Sequence, residues 1–71
     1  MDSTSLGLLV RRERKAQSLK QAELAAVSGV GVRFIVDLEA GKPTLQLGKA
    51  LQVIATLGCD VQIVSPASRR S

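Results

Sequence analysis

A chain of 71 residues, 45% hydrophobic and 23% charged, holds apolar side chains for one core and too few for two, in the proportions of a folded domain. Ten basic residues against six acidic ones give a net charge of +4 and a pI near 10.0, which favours an anionic partner such as nucleic acid, with an acidic protein as the alternative. There is no His, one Cys and one aromatic residue, Phe34, so zinc sites, Ser/His/Asp triads, Cys/His pairs and aromatic platforms for stacked bases are all excluded. No enzyme activity, cofactor or small-molecule ligand is expected. The lone Cys59 cannot form an internal disulfide, and no long apolar run marks a signal peptide or membrane span, so the expected setting is the cytoplasm.

The first apolar set is Leu6, Leu9 and Val10, interleaved with or followed by Arg11, Arg12, Glu13 and Lys15. Spacings of three and four predict a helix from about Ser5 to Ala16, with a capping hydroxyl offered within Ser3 to Ser5. Leu19, Leu24, Ala25 and Val27 carry a short second helix, roughly Gln21 to Ser28, ended by Gly29, which can take a left-handed turn conformation. After Val30, Gly31 opens a third helix with Phe34, Ile35 and Leu38 on one stripe and Arg33 and Asp37 on another, closing at Gly41 before Pro43. A fourth helix, capped at Thr44 and running to Gly58, places Leu47, Leu51, Ile54 and Leu57 in the core, with Ala50, Val53 and Ala55 widening the stripe.

Beyond Gly58 the period changes to two. Cys59, Val61 and Ile63 share one face of a strand over about 59–64, stopped by Pro66. One strand alone leaves its backbone groups unpaired, which points to the same strand of a second copy and hence to a homodimer. Residues 1–66 therefore form the domain, and residues 67–71, with Arg69 and Arg70, a flexible basic tail.

Two short helices about a glycine-containing turn, in a basic domain, form a helix-turn-helix, whose second helix enters the major groove of double-stranded DNA. The stretch LKQAELAAVSGVGVRFIVDLEAG, Leu19 to Gly41, resembles the lambda-repressor-like, XRE-type helix-turn-helix family in its opening Gln21-Ala22-Glu23-Leu24-Ala25 and its closing Leu38-Glu39-Ala40-Gly41. The resemblance continues through Gly58. It implies an all-α, four-helix lambda-repressor-like domain, here with a short C-terminal strand pairing across the homodimer. Within the family the chain looks most like the HipB-type antitoxins through LGCDVQIV, Leu57 to Val64. That likeness implies an autoregulating repressor of a toxin-antitoxin operon and a HipA-like kinase toxin as partner. A stand-alone regulator, or a protein-binding module with incidental DNA affinity, is the alternative. The family opens its second and third helices with hydroxyl residues, where this chain has Lys20 and Gly31, weaker caps.

Four residues are candidate base readers. Arg33 is long enough to bond guanine O6 and N7, or it pairs with Asp37 one turn on. Asp37 accepts from cytosine N4 or orients Arg33, and Val32 and Val36 reach thymine methyl groups unless they pack inside. Lys20, Gln21, Lys42 and Thr44 are candidate phosphate contacts, Gln21 at a helix start where free N–H groups attract anions, and Thr44 as cap and donor together. For each of these the rival is an ordinary solvated side chain. The resemblance further implies a structural ion pair between Arg14 and Glu39, joining the first helix to the end of the third. Cys59 reads as a small core residue at the dimer seam and not as a nucleophile, because no base activates it.

Overall fold

The computed structural model describes residues 2–43 and 46–58. The expected strand with Cys59, Val61 and Ile63, the basic tail and Thr44 lie outside the described residues. Among the described residues four helices follow in order: α1 Ser3–Ala16, α2 Gln21–Ser28, α3 Val32–Glu39 and α4 Leu47–Thr56. None of them is long and apolar enough to cross a membrane.

Helix α1 starts two residues before the expected Ser5, because its cap is Asp2 and not one of the serines. The Asp2 carboxylate accepts the Ser5 backbone N–H at 2.8 Å, which satisfies a first-turn donor and draws Ser3 and Thr4 into the helix. At the other end the chain reverses through Ser18 at φ 58°, with the Leu19 N–H donating to the Arg14 carbonyl at 3.1 Å.

Helix α2 spans the expected residues and ends where Gly29 adopts φ 74°, with Val30 N–H closing onto the Ala25 carbonyl at 3.0 Å. The tight turn delivers the chain into α3, whose start at Gly31 has no side-chain cap. Packing supplies what capping does not: α3 lies against both α1 and α2, while α4 packs on α2.

The core consists of Val10, Leu24, Ala25, Ile35, Leu38, Ala50, Val53, Ile54 and Leu57, with Leu6, Leu19, Val30 and Phe34 packed around it. Val10, Leu24, Ile35 and Val53 are fully buried, and burial of a side chain of this size stabilises by about 1.5 to 3 kcal/mol.

Three expectations are corrected here. Helix α4 begins at Leu47 with Gln46 as its N-cap, two residues later than a cap at position 44 implies; at φ −92° and ψ 61° Gln46 is the non-helical boundary. Leu47 and Leu51 stay 63% and 42% exposed, because the core stripe runs Ala50, Val53, Ile54, Leu57 and α2 covers only that side of the helix. Val27, grouped above with the apolar set of α2, is 63% exposed, on the flank of the buried stripe formed by Leu24, Ala25 and Ser28.

Candidate nucleic-acid interface

Helix α3 buries Ile35 and Leu38, which turns Val32, Arg33, Val36 and Asp37 to the opposite side. Spacings of one, three and one put these four on one helical face. Val32 is 48% exposed and Val36 39%, so neither valine has been taken into the core. Two branched apolar tips and one long cation thus stand together in solvent, an arrangement suited to thymine methyl groups and a guanine edge.

The charged side chains on this face are already in contact with each other. Arg33 Nε lies 3.6 Å from Asp37 Oδ1, and Lys42 Nζ lies 3.3 Å from the same oxygen. The Arg33 and Lys42 side chains are 83% and 61% exposed, so their contacts with Asp37 are screened by water and contribute at most about 1 kcal/mol each. Lys42 is placed by the turn after α3, where Gly41 at φ 80° brings the Lys42 N–H to the Asp37 carbonyl at 3.1 Å.

Lys20 is exposed at the N-cap of α2. Its backbone N–H is accepted by Glu23 Oε1 at 2.8 Å, so the helix start is closed from the third residue inward although Lys20 itself cannot cap. Gln21 opens the helix, half-buried, and its amide donates to Glu39 Oε1 at 3.3 Å. One N–H of that amide is therefore turned inward to protein, an arrangement the sequence reading did not contain.

Beneath this surface Arg14 grips Glu39 with two parallel bonds, Nε to Oε2 at 2.6 Å and Nη2 to Oε1 at 3.0 Å. The third arm, Nη1, donates to the Leu19 carbonyl at 2.8 Å. The two side chains are only 11% and 4% exposed. The hydrogen bond to Glu39 raises the Arg14 pKa above its ordinary value, against the opposing effect of burial, so the guanidinium is charged at every accessible pH. One arginine thereby ties α1, the turn before α2 and the end of α3, and Gln21 adds the start of α2.

Two further positions set the geometry. A Cβ on Gly7 would stand 2.5 Å from the Leu38 carbonyl oxygen and 2.9 Å from that of Glu39, so only glycine lets α1 approach α3 this closely. Its signal in the sequence is a glycine on the inward stripe Gly7, Val10, Arg14. Gln17 donates to the Leu57 carbonyl at 2.7 Å and joins the end of α1 to the end of α4.

The helix-turn-helix family HTH_3 matches residues 10–64 of this chain, a span that takes in the second half of α1 and all of α2, α3 and α4. The chain belongs to this XRE-type helix-turn-helix family. It is also 65% identical over 65 residues, 92% of this chain and 86% of the other, to a protein of Sinorhizobium fredii (strain NBRC 101917 / NGR234) called an uncharacterized HTH-type transcriptional regulator, y4mF. In an XRE-type domain the two helices of the motif are α2 and α3, and the second helix of such a motif is the one that enters the major groove.

Proposed function

We propose that the protein is a sequence-specific, DNA-binding transcriptional repressor that acts without a cofactor, in the bacterial cytoplasm and on the nucleoid. The observation that carries this reading is the exposed face of α3: Val32, Arg33, Val36 and Asp37 side by side, with Lys20 and Lys42 flanking. Arg33 addresses guanine, the valines address thymine methyl groups, and Asp37 orients Arg33. Lys20, Gln21, Lys42 and Thr44 hold the phosphates and fix the register of α3 on the duplex. So few base contacts leave part of the discrimination to DNA shape.

The repressor works as a homodimer on a pseudo-palindromic operator, its recognition helices about 34 to 36 Å apart. Pairing of the 59–64 strands, with Cys59, Val61 and Ile63 on the shared face, makes the dimer. Replacing Ile63 with Pro removes a ladder donor and is expected to halve the particle mass; an unchanged mass would sink the strand-paired dimer. Selection of bound duplexes from a randomised pool tests the DNA reading. Recovery of a twofold-repeated site supports it, and recovery of unenriched sequence contradicts it.

Likeness to the HipB-type antitoxins over Leu57 to Val64 supports a narrower role, repression of its own toxin-antitoxin operon and capture of a HipA-like kinase toxin. The Sinorhizobium relative is called a transcriptional regulator, which fits this role and equally the second reading, a stand-alone regulator. Co-purification with the product of the adjacent reading frame separates the two.

A further inference from the structure

Helix α1 lies outside the helix-turn-helix, yet it forms one wall of a cleft beside the recognition helix. The cleft, of about 350 Å³, is lined by Arg11, Arg14, Gln21, Val36, Glu39 and Ala40. Its acidic member does not repel an anion: the Glu39 side chain is 4% exposed, Arg14 holds both its oxygens, and Gln21 donates to Oε1 as well. Arg11, in contrast, is exposed and makes no ion pair with any described residue. Every other arginine among the described residues is engaged, Arg12 with Glu13 at 3.9 Å, Arg14 with Glu39 and Arg33 with Asp37. Arg11 is thus an uncompensated cation on a concave surface that also contains Val36 of the reading face and Gln21 of the α2 start.

We propose that this cleft is a phosphodiester site, in which Arg11 binds a backbone phosphate of the same duplex that α3 reads. A guanidinium offers paired N–H donors to two phosphate oxygens, and a contact from α1 would hold the C-terminal half of α3 against the groove. The proposal rests on the reading of α3 as the DNA-facing helix and adds α1 to the interface.

The test compares Arg11→Gln, Arg11→Lys and, as a control on the same helix, Arg12→Gln. Binding of each to an operator duplex and to a scrambled duplex is measured over a series of salt concentrations, together with the thermal midpoint of each protein. A phosphate contact predicts that Arg11→Gln weakens binding to both duplexes by the same factor and lowers the slope of log K against log salt by about 0.9. Arg11→Lys restores the slope, Arg12→Gln leaves it unchanged, and no thermal midpoint moves. An unchanged slope in Arg11→Gln, or an equal loss in Arg12→Gln, overturns the proposal. If the wild-type protein binds both duplexes equally, the repressor reading fails while the Arg11 slope is still read on either duplex.

Discussion

Glu39 and Asp37 lie two residues apart near the end of α3, both are carboxylates, and both meet basic side chains, but they sit in opposite surroundings. Glu39 is buried, held by two bonds from Arg14 and one from Gln21. Asp37 is half-exposed and shares one oxygen between Arg33 and Lys42 at 3.6 and 3.3 Å. In the first cluster removal of water makes each charge depend on its partner. In the second, water screens the contacts, and an arriving phosphate or guanine can replace the carboxylate at little cost. The same chemistry fixes the scaffold on one side of the helix and stays exchangeable on the other.

The largest expected effect is at the buried cluster. Glu39→Ala leaves Arg14 charged and unpaired, and is expected to lower unfolding free energy by about 3 to 5 kcal/mol, a large share of what a domain this small has. Urea denaturation checks it; a loss below about 1 kcal/mol would place the pair with ordinary surface bridges.

Gly7→Ala probes the close approach that brings α1 to Glu39. Alanine improves helix propensity by about 1 kcal/mol, but its Cβ meets two backbone carbonyls, which cannot swing aside as a side chain would. Overpacking of this kind costs about 1 to 3 kcal/mol, so the net change is destabilising. A variant more stable than wild type would show that α1 and α3 separate freely.

Asp37→Asn addresses the exposed cluster. Stability is expected to change by less than about 1 kcal/mol, while binding to scrambled DNA tightens because Arg33 and Lys42 are released toward phosphate. Weaker binding to scrambled DNA would contradict the exchangeable role.

The smallest effect is at the start of α1. The Ser5 backbone N–H lowers the Asp2 pKa below its usual value, so the folded state favours the ionised cap. A depressed carboxylate contributes stability above its unfolded pKa and loses it as pH falls through the folded value. Circular dichroism should therefore show slight fraying of α1 in acid, below the usual carboxylate range, that Asp2→Asn does not share.

The motif itself was readable from residues whose conformations are locally determined. Gly29 reaches a left-handed turn without a Cβ penalty, so the boundary between α2 and α3 stood in the sequence, as did the apolar stripe of Ile35 and Leu38. The Arg14–Glu39 contact came through family resemblance; periodicity carries no information about which charges meet across 25 residues. Helix spacing also could not show that Leu47 and Leu51 stay exposed, because burial depends on which neighbour covers a face. The requirement for glycine at position 7 is likewise not local, because it is created by the carbonyls of another helix. At the interface, side-chain type pointed to Arg33, but the second donor to Asp37, Lys42, is set by the geometry of the turn at Gly41.

The most direct test is binding to the duplex upstream of the protein's own gene against a scrambled duplex, each at two salt concentrations, since specificity and phosphate contact respond to different variables. An operator-binding repressor prefers its own duplex by roughly a thousandfold or more, and keeps that preference when salt weakens both. Equal, strongly salt-dependent binding to the two duplexes would contradict sequence recognition by α3.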